Sequence, residues 1–238
     1  MSPPVPPSAA VNIFQAILAD SGDLAPEIST DQMRVSLDQA SALIVDSRIR
    51  AQFDAGHIPG AVCLDVPPQN QVTAVRTIVG GDLSRPLVVY CNGPHCQQSR
   101  RLSAELMAAG FTSVSRYQLG ISVWRVLGGP TAVEISWVER VLDHDDTAVL
   151  MDARSAQEYS NGSLPRARSS PVDDIAAGRA AVSGLPHDDF NRRVILFGRD
   201  PRQARVLAEI LRQRPWANVS YVESSFAELS KALSRSDS

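Results

Sequence analysis

Cys91 closes an apolar run, Leu87-Val88-Val89-Tyr90, and opens a stretch dense in turn-forming residues: Asn92, Gly93, Pro94, His95, Cys96, Gln97, Gln98 and Ser99. A helix-like run follows. A thiol placed there faces a turn of backbone N–H groups backed by a helix N-terminus, which stabilises an anion. Such surroundings lower the pKa of a sulfur and turn it into a nucleophile. The loop by itself is equally consistent with a cysteine that packs at a strand end as a small hydrophobe.

The elements around this loop repeat. Residues 43–61 and 149–167 align without a gap, and Asp46/Asp152, Arg48/Arg154, Gly56/Gly162, Pro59/Pro165 and Ala61/Ala167 are identical. Apolar positions match apolar positions, Phe53 with Tyr159 among them. Val88-Val89-Tyr90 has its counterpart in Ile195-Leu196-Phe197, and a loop and a helical run follow each. Pattern and spacing together mark a duplication. Two capping boxes are expected at helix starts, Ser29 to Gln32 and Ser136 to Glu139. Leu102, Leu106 and Met107 mark the apolar face of the helix after the first loop; Val206, Ile210 and Leu211 mark that of the second.

Strands are expected at 43–46, 61–65, 87–91 and 114–118. Their alternation with helices predicts an α/β fold of two units, each a mostly parallel sheet with helices on both faces. The proposed division is an N-terminal extension over 1–27, a first unit over 28–130 and a second over 131–238. Ligands of such sheets bind beyond the carboxyl ends of the strands, where Cys91 stands.

Composition narrows the function classes. The 238 residues are 44% hydrophobic, enough for two cores, and the net charge of −3 gives no global positive field for nucleic acid. Lys231 is the only lysine. Three cysteines, Cys63, Cys91 and Cys96, do not resemble a secreted disulfide scaffold, and no grouping has structural zinc spacing, so neither metal nor cofactor is expected. No apolar stretch reaches membrane-spanning length, and the Pro/Ser/Ala-rich residues 1–10 do not read as a signal peptide; the first basic residue is Arg34. Residues 1–10 are expected to be disordered and 11–19 to form a short helix. The expectation is a soluble cytoplasmic protein with no membrane or nucleic-acid partner, its oligomeric state open.

The motifs resemble the rhodanese family. Asp46-Ser47-Arg48 is followed by Gly56-His57-Ile58-Pro59-Gly60-Ala61; Cys91 then follows its apolar strand; Leu119-Gly120-Ile121-Ser122-Val123-Trp124 and Gly128-Gly129-Pro130 close the unit. Leu119 replaces the first glycine of the usual closing pair. The loop looks like a variant with Gly-Pro and a second cysteine. The second unit has Gly198 in place of Cys91 and a loop three residues shorter, and no cysteine follows Cys96, so it resembles the silent partner of tandem rhodanese proteins. The resemblance implies a sulfurtransferase of thiosulfate type. Sulfane sulfur passes from a small-molecule donor to Cys91 as a persulfide, held by amides of Asn92 to Ser99, and then to a thiol, cyanide or a protein acceptor.

Single residues carry paired readings. Cys96 is a resolving thiol that attacks the persulfide, or a small residue packing the loop on its helix; packing is favoured, because loop geometry need not bring the sulfurs together. His95 contributes charge to the anion site or is an exposed loop side chain. Asp46 and Arg48 are structural supports of the turn, since they recur in the silent unit, and His57 is assigned to structure with them. Trp124 is expected in the core or at the domain seam, and Cys63 is expected buried and inert. Arg192, Arg193, Arg199, Arg202, Arg205, Arg212 and Arg214 read as a solvated face. Two other classes compete with the transferase: a non-enzymatic sulfur-sensing or partner-binding module, and a cysteine phosphatase or arsenate reductase. The last needs an oxyanion-gripping arginine six positions after the cysteine, where Gln97 stands.

Overall fold

The computed structural model describes residues 25–182, 184–185, 189–213, 216 and 218–236. The readings for residues 1–10 and 11–19, and that for Arg214, lie outside the described residues.

The first unit runs α1 (Thr30–Asp38), β1 (Leu43–Asp46), α2 (Arg50–Asp54), β2 (Val62–Cys63), α3 (Gln71–Ile78), β3 (Leu87–Tyr90), α4 (Gln97–Ala108), β4 (Val114–Tyr117) and α5 (Gly120–Val126). Its sheet has the order β2-β1-β3-β4 and every pairing is parallel. All four residues of β3 are buried, as a central strand covered on both faces requires. Val45, Val89, Leu102 and Leu106 pack on one face, and Ile44, Val88, Tyr90 and Trp124 on the other.

The second unit repeats the plan: β5 (Thr131–Val133), α6 (Ile135–His144), β6 (Val149–Asp152), α7 (Ala156–Ser160), β7 (Arg168–Ser169), α8 (Val172–Ala176), β8 (Val194–Phe197), α9 (Pro201–Arg212), β9 (Val219–Val222) and α10 (Phe226–Ser236). Its parallel sheet has the order β5-β9-β8-β6-β7. The repeat explains β5: in the first unit Glu27 bridges Arg116 of β4 at the same sheet edge, but as one isolated pair.

Several local expectations are corrected. β1 covers the expected 43–46, β3 and β4 each end one residue short of expectation, and β2 covers only Val62–Cys63 of 61–65. The Ser29/Gln32 capping box is present, with Ser29 Oγ accepting from the Gln32 N–H at 3.1 Å and Gln32 Oε1 accepting from the Ser29 N–H at 2.7 Å. The second box is not at Ser136. That helix starts at Glu134 without a side-chain cap, and Ser136 donates instead to Asp54 Oδ2 at 3.0 Å. A box does form at Ser155/Glu158. Val206 is 43% exposed; the buried stripe of α9 is Ala204, Leu207, Ala208 and Leu211, whose i, i+3, i+4, i+7 spacing is one face of a helix. Cys63 is half-buried, not enclosed.

The units meet along a bonded seam. His57 and Ala132 exchange both backbone hydrogen bonds at 2.9 Å, so β5 of the second sheet also pairs with the first unit's turn. The Glu134 N–H donates to Asp54 O at 3.1 Å. Glu223 reaches across from just past β9, its carboxylate accepting from the Gly60 N–H at 3.1 Å and lying 3.3 Å from His57 Nε2. Trp124 is buried beside this seam and donates Nε1–H to Pro130 O at 2.7 Å. The arginines are not one solvated face. Arg205 pairs with Asp38 of the first unit at 3.4 Å and Arg212 donates to Arg125 O, because these two lie on the seam side of α9. Arg199 is exposed and pairs with Glu158 at 2.9 Å, which holds that carboxyl down at about 2.

Candidate active site

Asp46 is fully buried at the end of β1, and such a charge needs full compensation. Arg48 supplies it. Its Nε–H lies 2.9 Å from Asp46 Oδ1, its backbone N–H donates to the same oxygen at 3.0 Å, and its Nη2 donates on to Gly56 O at 2.8 Å. Asp152, Arg154 and Gly162 reproduce this, with Nη2 to Gly162 O at 2.7 Å. The guanidinium therefore ties the strand end to a turn eight residues on, which is why Asp, Arg and Gly recur together. The remaining lone pair of Asp46 accepts from Tyr90 Oη at 2.6 Å, and that hydroxyl in turn accepts from the Ile58 N–H at 3.0 Å. Burial and the neighbouring Asp46 push the Tyr90 phenol well above its ordinary pKa, so it stays a donor.

The second unit solves the same problem differently. Phe197 has no hydroxyl, and Ser163 donates to Asp152 Oδ2 at 2.7 Å. Phe197 for Tyr90 and Ser163 for His57 are thus one linked exchange. Freed of that duty, His57 stacks on Phe53 with ring centroids 3.7 Å apart and sets Nδ1 2.9 Å from Phe53 O. Both rings serve structure, and Tyr90 is a support residue that the strand pattern alone does not single out.

β3 delivers Cys91 to the centre of the sheet's carboxyl edge, 1% exposed. The loop is fixed from both sides. Ser47 donates its N–H and Oγ–H to Tyr90 O, at 3.0 and 2.8 Å. On the other side the Ile121 N–H donates to Cys91 O at 3.0 Å and the Ser122 N–H to Asn92 O at 3.1 Å. Gly120 makes this approach feasible: at φ +63°, a Cβ there would sit 2.5 Å from Cys91 O and from Gly93 N. The closing motif therefore cradles the cysteine loop.

The Cys96 N–H donates to Gly93 O at 3.0 Å, turning the chain back through Gly93-Pro94-His95. This fold-back brings Cys91 and Cys96, Cα atoms 6.1 Å apart, into a disulfide. The turn thus brings the two sulfurs together, which a resolving role of Cys96 needs and the favoured packing role does not. Gln98 Oε1 lies 3.5 Å from Cys91 Sγ and 3.9 Å from Cys96 Sγ. Asn92, His95, Gln97 and Gln98 are exposed, Gly93, Pro94 and Cys96 half-buried, and Ser99 is buried in the first turn of α4, accepting from Arg116 Nε at 3.3 Å. Cys63 stands apart on β2 with Sγ 3.9 Å from Arg48 O, its thiol pKa raised by burial.

The two helices that follow the loops differ at their N-termini. The N-cap of α4 is Cys96, with no side-chain cap bond. The N-cap of α9 is Asp200, whose carboxylate accepts from the Gln203 N–H at 3.0 Å, while Gln203 Oε1 accepts from the Arg199 N–H at 2.8 Å. The N-terminus of α4 thus lacks a side-chain cap from its own N-cap residue, whereas α9 is served by its own acid. Among the described residues no group of His, Cys, Asp and Glu is arranged to hold a metal ion, and no helix is long and apolar enough to cross a membrane.

Two parallel α/β units, the paired Asp-x-Arg turns and a cysteine loop at the sheet's carboxyl edge agree with the sequence comparisons. The profile of the Rhodanese-like domain matches residues 29–126 and again 134–232. This chain belongs to the rhodanese family and carries two tandem domains of it. A relative, Thiosulfate sulfurtransferase GlpE of Pseudomonas savastanoi pv. phaseolicola, is 33% identical over 102 residues, 40% of this chain and 90% of that protein. The HTH-type transcriptional regulator Rv0324 of Mycobacterium tuberculosis is 31% identical over 87 residues, 37% of this chain and 36% of the regulator. A solved structure, the thiosulfate sulfurtransferase from Pseudomonas aeruginosa, aligns over 89% of this chain with 20% identity and a TM-score of 0.42; the alignment spans 45% of that chain.

Proposed function

We propose that this protein is a sulfurtransferase of thiosulfate type that carries sulfane sulfur as a persulfide on Cys91. The first unit, 28–130, performs the chemistry, and the second, 131–238, is its scaffold. The observation that carries the reading is the contrast between the loops: Cys91 stands beside a helix N-terminus without a side-chain cap, and Gly198 beside one capped by Asp200. The GlpE relatives, which span most of one domain, support the same class.

The reduced Cys91 thiolate attacks the outer sulfur of thiosulfate. The donor's S–S bond breaks and sulfite leaves with the electron pair. The terminal sulfur of the persulfide is anionic, and amides from Asn92 to Ser99 stabilise it by charge-assisted hydrogen bonds. A thiol, cyanide or a protein thiol then takes the sulfur. Cys96 offers a second exit: its thiolate attacks the inner sulfur of the persulfide, hydrosulfide leaves, and the Cys91–Cys96 disulfide remains until a dithiol reduces it. The proposed setting is a reducing cytoplasm, where such reductants are at hand. The same dithiol favours one alternative, a sulfur-sensing module whose output is the disulfide itself.

Peptide mass spectrometry of the reduced protein after brief exposure to thiosulfate separates these. One added sulfur on the Cys91 peptide, removable by cyanide as thiocyanate and absent from Cys91→Ser, is the expected result. Disulfide formation without thiocyanate turnover favours the sensor. No adduct and no disulfide defeats both.

A further inference from the structure

Arg116 is a buried cation on β4, in register with Val89 of β3 and so one strand over and two residues short of Cys91. With strands about 4.8 Å apart and a rise of about 3.3 Å per residue, its Cα lies about 8 Å from that of Cys91. Its side chain runs under the first turn of α4, where Nε–H donates to Ser99 Oγ at 3.3 Å. The residue before Ser99 is Gln98, whose Oε1 lies 3.5 Å from Cys91 Sγ. Ser103, one turn on, donates Oγ–H to Ser99 O at 2.7 Å. The charged groups that face Arg116 are Glu27, 3.6 Å away at the sheet edge, and Arg100 of α4. The Arg116 side chain is 2% exposed and that of Glu27 is 43% exposed, so solvent screens the carboxylate far more than the cation. The loop from Asn92 to Ser99 contains no lysine or arginine of its own.

The duplication supplies an internal control. Tyr221 is in register with Leu196 as Arg116 is with Val89. The buried stripe of α4 is Ser99, Leu102, Ser103 and Leu106, and that of α9 is Ala204, Leu207, Ala208 and Leu211. The leucines match, and both serines become alanines. At the sheet edge Glu27 opposes Arg116, whereas Ala132 opposes Tyr221. Asp46 and Arg48 recur in both units because the shared turn needs them; Arg116, Ser99, Ser103 and Glu27 occur only in the unit that carries the cysteine. A buried guanidinium is costly to keep, and the second sheet is built without one at this position. From this co-segregation we propose that Arg116, anchored by Ser99 beneath the first turn of α4, is a positioning residue that stabilises the anionic sulfur at Cys91, thiolate and persulfide alike. The inference deepens the Cys91 persulfide reading and rests on it.

The test follows iodoacetamide alkylation of Cys91 against pH in the full reduced chain, with Cys96→Ser as background so that Cys91 is the one thiol of its loop. A unit charge about 9 Å away at an effective dielectric of about 20 moves a pKa by about one unit. Arg116→Gln is expected to raise the pH midpoint of alkylation by about that much and to slow thiosulfate loading at neutral pH by up to about tenfold. Arg116→Lys is expected to restore part of the shift. Glu27→Gln is expected to lower the midpoint by a smaller amount, because it removes the opposing charge. Midpoints unchanged in both Arg116→Gln and Glu27→Gln, with melting temperatures lowered, would make Arg116 merely the buried partner of Glu27; this overturns the positioning role and leaves the persulfide reading intact. If Arg116→Gln does not fold, Glu27→Gln decides alone: a downward shift supports the role and an unchanged midpoint overturns it. A wild type that thiosulfate never loads overturns the persulfide reading and this role with it.

Discussion

At the scale of the residue, buried charge explains which side chains the duplication kept. Asp46 lies at zero exposure and is tolerated because Arg48 and Tyr90 satisfy its oxygens. Tyr90→Phe is expected to destabilise the protein by about 1–3 kcal/mol, since it strips a donor from the carboxylate and an acceptor from the buried Ile58 N–H. The urea midpoint measures this; an unchanged midpoint would mean that neither bond contributes. The aspartate–arginine pair was legible in the sequence because both copies retain it. The tyrosine's role was not, because a strand pattern records only that position 90 is apolar enough to be buried. The linked exchange of Tyr90 and His57 for Phe197 and Ser163 becomes visible only when the hydroxyls are placed in space. The pairing of Cys91 with Cys96 stayed one of two readings for the same reason: it depends on the turn that the Cys96 N–H closes on Gly93 O.

At the scale of the element, the site is a junction of three segments: the end of β3, the start of α4 and the start of α5. The sequence located the first two through the apolar run and the helical spacing. That α5 is the loop's support emerged from the bonds of Ile121 and Ser122 to the loop carbonyls. Gly120→Ala tests this junction. A left-handed conformation costs an L-residue roughly 1–2 kcal/mol, and here the added methyl also meets the loop backbone. The expected outcome is a lower melting temperature together with loss of sulfur loading on Cys91. Normal loading at an unchanged melting temperature would mean that the cradle is dispensable. Helix starts were the least legible elements. Ser-x-x-Glu occurs at Ser136, Ser155 and Ser225; the last two make the reciprocal capping bonds and the first does not, because Glu134 already begins that helix and Ser136 is engaged by Asp54.

At the scale of the whole molecule, the duplication predicted two like sheets but could not predict how they join, since the joining residues differ between the copies. One of the seam's contacts is Glu223, whose carboxylate serves the Gly60 N–H and faces His57. Glu223→Ala is expected to cost about 1–3 kcal/mol of coupling and to split one thermal transition into two in calorimetry. A single transition at an unchanged temperature would show that the units are held together by other contacts. The strand β5 gives the seam its peculiar character, for it is counted in one sheet while bonding the turn of the other through Ala132 and His57. Cutting the gene at Gly128 or Pro130 would therefore leave the first half without the backbone partner of its His57. The shortened first module would present a raw peptide edge at His57, open to any extended segment that happened by. A clean excision has to take Thr131–Val133 along with the first half, and the second half then loses the outermost rung of its sheet.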